Sequence, residues 1–238
     1  MTLAPGQLLA ETTAAWGLPL DAAQLAQFDL YADELLAWNS HTNLTAIRDR
    51  DEVFVRHFLD SLVLARHWGA APDSLIDIGT GAGFPGLPLK LLRPELQVVL
   101  VDSVGKKTAF LEHVVGRLGL SGIRVITGRA EELGQSREHR ERYGLVTARA
   151  VADLRVLAEY GLPLLRLGGL LLAPKGANAV EEAAAAESAF RMLGGGPARV
   201  EPVSLPGVEP RAVVVVEKVS PTARRYPRPV GVPAKKPL

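Results

Sequence analysis

The stretch from Ser74 to Pro94, SLIDIGTGAGFPGLPLKLLRP, decides how this chain is read. An apolar run carries an acid at Asp77, glycines follow at 79, 81 and 83, and a helical pattern begins at once. A strand that turns into a helix through glycines places a ligand at the turn, at the carboxyl edge of an open sheet. The glycines are spaced G-x-G-x-G, and Phe84 stands where a dinucleotide G-x-G-x-x-G loop has its third glycine. Asp77 is a poor neighbour for a pyrophosphate at a helix N-terminus. It suits a ligand that presents a cationic amino-acid end. Pro85 and Pro88 fall in the first helical turn, where a missing amide donor costs little and the turn is stiffened.

Outward from this loop the chain alternates short apolar strands with helices. Strands are expected at 75–78, 97–102, 122–128, 144–151 and 168–176, and 198–205 and 211–218 read as a terminal antiparallel pair on the sheet edge. The pattern predicts an α/β fold: a mostly parallel seven-stranded sheet with helices on both faces. Residues 1–70 read as a helical extension packed on that core, 71–219 as the ligand-binding domain. Residues 220–238 form a basic, proline-rich tail, expected to be extended and cationic.

The second strand ends in Asp102, placed to accept from both hydroxyls of a ribose. The third runs into Ala130 and Glu131, which can line an adenine and take its exocyclic amine. Each acid has a plainer reading as the cap of a following turn or helix. Their coincidence at the ends of consecutive strands favours a site. A ribose, an adenine and a cationic amino-acid end together describe S-adenosylmethionine.

Composition narrows the rest. The 238 residues are 47% hydrophobic with a net charge of +1, so bulk charge makes no case for nucleic acid, and only a local distribution of cations can. There is no cysteine, which excludes disulfides, thiolate metal sites and a thiol nucleophile and fits a reducing cytosol. No metal site is expected. The N-terminus lacks a basic region ahead of its apolar residues, and the longest apolar stretch is too short to span a bilayer. The expectation is a soluble, cytoplasmic monomer with no membrane partner.

The runs NLTAIRDRDEVFVRHFLDSL, LIDIGTGAGFPGLPLKLLRPELQVVLVDSVGKKTAFL, TARAVADL and LLAPKG, over about residues 30–180, and the tail RRYPRPVGVPAKKPL resemble the RsmG, also called GidB, family of bacterial 16S rRNA methyltransferases. The resemblance implies a class I, Rossmann-like methyltransferase that moves a methyl from S-adenosylmethionine to N7 of a guanosine in the 530-loop of 16S rRNA, with the rRNA or the small ribosomal subunit as partner. Carried over by position, Gly79, Gly81 and Phe84 meet the cofactor at the loop, beside Asp77. Asp102, Ser103 and Val104 meet the adenosine, Ala130 and Glu131 the adenine, and Arg149 points into the cofactor or target pocket.

Guanine N7 fits a chain without obvious acid–base machinery. It has an in-plane lone pair and no proton to remove, so catalysis rests on alignment. Arg149 and Lys175, at strand ends on the ligand side, are the expected positioning cations. Arg129 and the tail residues Arg224, Arg225, Arg228, Lys235 and Lys236 are expected on RNA phosphates, with Tyr226 stacking on a base. His57, Asp60 and Ser61 read as structural. A nicotinamide oxidoreductase, a cofactor-binding module without catalysis, and a methyltransferase of another RNA, a protein or a small molecule are the rival readings.

Overall fold

The computed structural model describes residues 3–149 and 152–238. Seven strands form one sheet: β1 (Ser74–Ile78), β2 (Gln97–Asp102), β3 (Ile123–Thr127), β4 (Tyr143–Thr147), β5 (Leu165–Lys175), β6 (Arg199–Val203) and β7 (Arg211–Glu217). Their spatial order is β3-β2-β1-β4-β5-β7-β6. The first five run parallel, while β7 lies antiparallel between β5 and β6. The strand order reverses between β1 and β4. That opens a crevice at the carboxyl end of β1, where sheets of this kind bind ligands. Of the strand expected over 144–151, Ala150 and Val151 lie outside the described residues.

Alternation along each strand sorts the core into two layers. Leu75, Val98 and Leu100 face one side; Ile76, Ile78 and Val101 face the other. The first side is covered by α1 (Pro5–Ala15), α2 (Ala22–Asn39), the segment from 50 to 66, α5 (Gly86–Leu92) and α6 (Gly105–Arg117). The second is covered by α7 (Ala130–Gln135), α8 (Leu154–Gly161) and α9 (Ala179–Met192). The N-terminal helices therefore share a core with the sheet. Phe28, Tyr31, Leu35 and Phe58 are fully buried there, and each such side chain contributes roughly 1.5–3 kcal/mol.

The segment from 50 to 66 departs from the uniform amphipathic helix that its apolar spacing predicts. It begins as α3 (Arg50–Val53), widens into a π turn (Phe54–Leu59), returns to α4 (Asp60–Leu62) and ends as a 3-10 turn (Val63–Arg66). Widened turns of this kind accompany functional sites in helices, and this one carries His57.

The tail also departs from expectation. It folds back on the second layer through turns and a short helix, α10 (Val232–Lys235). The Arg228 guanidinium grips the wholly buried Glu159 carboxylate through Nε and Nη2. Arg140 donates to the carbonyls of Thr222 and Tyr226. The tail's prolines and its run of Lys and Arg without an acid predict an extended, cationic segment. Buried ion-pair partners far away in sequence supply the anchoring instead.

Candidate functional site

The glycine loop is fixed from below and from the side. Asp77 is completely buried beneath it, with Oδ2 accepting from the Thr80 hydroxyl at 2.5 Å and the Gly86 amide at 2.9 Å. Its Oδ1 accepts from the Thr147 hydroxyl on β4 at 3.1 Å. Desolvation raises the Asp77 pKa to about 6, and the donated hydrogen bonds oppose that rise. Asp77 was expected to face the ligand's cationic end; the structure instead turns it into the floor of the loop, where it reaches no cavity. From the side, the buried Tyr31 hydroxyl of α2 donates to the Ala82 carbonyl at 2.5 Å. Gly83, at φ +102°, lies so close that a Cβ would stand 2.5 Å from both the Tyr31 hydroxyl and Leu87. Only glycine meets that position.

Two cavities open over the loop. One, of about 410 Å3, is bounded by Leu44 and Thr45, the loop from Gly79 to Phe84, the turn from Asp102 to Val104, and His57, Lys107 and Arg149. The other, of about 80 Å3, lies against Ala130, Glu131, Arg129, Tyr160 and Ile78. Both share Gly79, Asp102 and Ser103 as a wall, so the two volumes flank the Asp102 carboxylate. Gly79, Gly81, Phe84, Asp102, Ser103, Val104, Ala130, Glu131 and Arg149, all expected at the cofactor, thus lie in one place, and Arg129, expected on an RNA phosphate, lines the smaller cavity beside them.

Asp102 is held tightly. Its Oδ1 accepts from the Val104 amide at 2.9 Å and its Oδ2 from the Gly81 amide at 3.0 Å, with Lys107 Nζ 3.5 Å away. A carboxylate oxygen has two acceptor sites, so capacity remains on Oδ1 for a hydroxyl, while Oδ2 already faces both Gly81 and Lys107. Glu131 accepts from the Gly231 amide of the tail at 2.9 Å, so the tail props the wall of the smaller cavity.

At the other end of the crevice, Arg149, His57 and Phe84 form a stack that sequence spacing does not reveal. The His57 ring lies on Phe84 and the Arg149 guanidinium carbon sits 5.0 Å from the same ring centre. Arg149 Nη2 donates to His57 Nδ1 at 3.0 Å, which leaves Nε2 to donate to the Thr45 hydroxyl at 2.8 Å. Burial, and secondarily the Arg149 charge, lower the His57 pKa to about 3, so the ring stays neutral. Arg149 Nη1 donates to the Arg56 carbonyl and to Asp60 Oδ2 at 3.0 Å. The other oxygen of Asp60 takes Arg211 at 2.8 Å. Sequence reading missed Arg211. The antiparallel edge pair was its signal: pairing Lys175 with Ala212 sets the start of β7 beside the end of β5, on the ligand side.

Other expected residues stand differently. Lys175 Nζ donates at 2.7 Å both to Glu182 and to the Ala152 carbonyl, so it braces the end of β5 against α9. Arg224, Arg225, Lys235 and Lys236 are exposed on the folded-back tail. Tyr226 is buried, its hydroxyl 2.9 Å from Met192 Sδ, and Arg225 lies over its ring. A ring packed in this way is not presented to a base, and Arg228, spent on Glu159, is not offered to a phosphate. Both expectations are corrected on that ground. Among the described residues, no cluster of His, Asp or Glu suited to a metal occurs, and no helix is long and apolar enough to cross a membrane.

Residues 24–208 match the model of the family described as GidB, rRNA small subunit methyltransferase G. The chain belongs to this family. It is 58% identical over 97% of its length to a protein of Roseiflexus sp. (strain RS-1) named ribosomal RNA small subunit methyltransferase G, covering 99% of that relative. A relative of the same name from Lactobacillus delbrueckii subsp. bulgaricus is 46% identical, with 98% and 99% of the two chains covered. Among solved structures, cofactor-bound Rv0187 from MTB aligns with a TM-score of 0.57 at 17% identity, over 92% of this chain and 99% of that one. A precorrin-6y C5,15-methyltransferase from Geobacter metallireducens GS-15 aligns at 0.52 and 12% identity, over 67% and 87%. These likenesses place the GidB chain in the class I methyltransferase fold, and membership in a methyltransferase family brings S-adenosylmethionine as the methyl donor. The donor set fits that group. An acid with spare acceptor capacity lies between a narrow cavity, sized for a flat ring, and a wider one walled by Arg149.

Proposed function

We propose that this chain transfers a methyl group from S-adenosylmethionine to N7 of a guanosine in the 530-loop of 16S rRNA. The observation that carries the reading is the state of the groups around the larger cavity. His57, the one imidazole in its wall, is neutral and has both ring nitrogens engaged, with Arg149 and with Thr45. The carboxylate in that wall, Asp102, is engaged by the Gly81 and Val104 amides and by the ribose it would hold, so a substrate that must first lose a proton finds no free base among the described residues there. Guanine N7 carries no proton. The names of the relatives point to the rRNA, and the engaged groups around the cavity favour a nucleophile that has no proton to lose.

Asp102 would hold the ribose hydroxyls, with Ala130 and Glu131 along the adenine and the amides from Gly79 to Phe84 along the methionine part. Bound S-adenosylmethionine supplies an electrophilic methyl on sulfonium sulfur. Arg149, clamped by Asp60 and His57 and seated over Phe84, would fix the wall against which the guanine must align. Alignment of this kind is worth roughly 7–11 kcal/mol. Nothing need collect a proton, because the product base keeps the positive charge.

The test is to incubate the protein with methyl-labelled S-adenosylmethionine and small subunits from cells that lack the enzyme, then map the label. Label at N7 of a 530-loop guanosine is the expected result, and Asp102→Ala abolishes it together with cofactor binding. Measurable cofactor binding with no label on subunits or on naked 16S rRNA refutes the substrate.

A further inference from the structure

Arg149 has a second side. Beyond it lies an open groove of about 750 Å3, bounded by the end of β5 at Pro174–Ala177 and by Glu209–Arg211 at the entry to β7. Arg149 is the wall common to this groove and the cofactor cavity. The floor is partly apolar, from Pro174, Ala177 and Pro210.

Two guanidiniums converge on one buried acid at this wall. Asp60, only 2% exposed, is one carboxylate shared by two guanidiniums, Arg149 on Oδ2 and Arg211 on Oδ1. Lys175 is already balanced by Glu182 at 2.7 Å, and Glu209 is exposed on the rim, where water screens it. Formal charges around the wall therefore balance, and what is left open at the junction of the two spaces is hydrogen-bonding capacity on a guanidinium. The two arginines are not equivalent. Arg149 is committed to the Arg56 carbonyl, Asp60 and His57. Arg211 makes one hydrogen bond among the described residues, through Nη1, and its side chain is 32% exposed. Its Nη2 and Nε remain for a ligand. A guanidinium anchored at one nitrogen, with the rest of its fork open, matches the planar, two-point geometry of a phosphate. A contact to the guanine N7/O6 edge would instead cover the reacting atom.

We propose that Arg211, pinned by Asp60, binds a phosphate of the substrate RNA strand in the groove beside the cofactor cavity. This rests on the rRNA reading above. Asp60 is then a positioning residue that aims both arginines, one towards each space. The proline and alanine floor accommodates the sugar or base attached to that phosphate.

Binding of a 16S rRNA transcript, measured at several salt concentrations, tests this on the wild type, Arg211→Gln and Arg211→Lys, alongside the affinity of each for S-adenosylmethionine. Arg211→Gln is expected to weaken RNA binding about tenfold and to lower the slope of log affinity against log salt by about 1. Cofactor affinity stays within about twofold, because Asp102 is untouched and Arg149 keeps its bonds to Asp60, His57 and the Arg56 carbonyl. Arg211→Lys keeps the charge and loses the fork, so it falls between the two. Should Arg211→Gln not fold, Arg211→Lys decides: reduced RNA affinity with intact cofactor binding upholds the site, and wild-type affinity overturns it. Unchanged RNA affinity and salt slope in both variants overturn it as well. Inorganic phosphate distinguishes the source. If it raises the Tm of wild type but not of Arg211→Gln while RNA binding is unaltered, the site takes free phosphate and the RNA assignment is wrong. Wild-type protein that binds no 16S rRNA at any salt fails the substrate reading itself, and the proposal with it. Loss in the variants alone isolates Arg211.

Discussion

The rings of His57 and Phe84 lie face to face, with centroids 4.3 Å apart and planes 17° from parallel. One comes from the π turn that follows α3, the other from the glycine loop after β1. Through this contact the N-terminal helices reach the larger cavity over the glycine loop. Tyr31 completes the connection, stacking on Phe84 at 5.4 Å while its hydroxyl holds the Ala82 carbonyl. The helical extension is thus part of the wall of the site.

The His57 contact predicts an acid sensitivity. The folded protein holds His57 neutral, with a pKa lowered from 6.5 to about 3, whereas the unfolded chain takes up the proton near 6.5. The resulting stabilisation is present above pH 6.5 and is lost as pH falls towards 3. Its upper bound is on the order of 5 kcal/mol. Glutamine can replace both hydrogen bonds of the ring without titrating. Urea unfolding of wild type and His57→Gln should therefore diverge as pH is lowered from 6.5, with the wild type losing more. Parallel curves would mean that the ring is protonated in the folded state.

Asp77 has the opposite sign. Its folded pKa is raised from 3.8 to about 6, so the folded state retains a proton that the unfolded chain has released. That contribution is complete below 3.8 and disappears as pH rises through 6. It amounts to at most about 3 kcal/mol. Over this window it works against His57, and the two are separable only by mutation. Asp77→Asn should remove the decline between pH 4 and 6, seen as a wild-type-minus-variant difference that shrinks in favour of the variant as pH rises. A difference that stays constant across the window contradicts the assignment.

The local parts of this arrangement were legible in the sequence. Short apolar runs between helical stretches gave the strands, and Asp102 and the loop glycines fall where a strand-end rule puts them. Asp77 was misread because the rule says which edge a residue occupies, not whether it points up to the ligand or down beneath the loop. The long-range pairs were not legible at all. Asp60 meets Arg149 across 89 residues and Arg211 across 151, and neither partner announces the other. The π turn hides inside an ordinary helical period, because a single widened turn shifts the phase of apolar spacing too little to be noticed. The tail was misjudged for a similar reason. Its anchor is Glu159, an acid set within the apolar helical stretch ADLRVLAEYGLPLL, and a buried acid implies a cation from somewhere.

That anchor yields the last prediction. Glu159 is fully buried and its carboxylate is occupied by Arg228, from Nε at 2.9 Å and Nη2 at 2.6 Å. Removing one partner from a buried pair strands the other charge, at a cost of about 3–5 kcal/mol. The tail has a cheaper way out than global unfolding, because it can detach and let water reach Glu159. Arg228→Ala should therefore raise amide hydrogen exchange over residues 222–236 while the sheet remains protected. The Gly231 amide then leaves Glu131, and the wall of the smaller cavity loses its prop. Affinity for S-adenosylmethionine should fall severalfold in the same variant, although Arg228 lines neither cofactor cavity. Faster exchange in the tail with unchanged cofactor affinity would show that Glu131 holds its place without the tail; unchanged exchange would show that the tail is secured without the Arg228 side chain, by Arg140, Gln135 and the Arg228 and Gly231 amides.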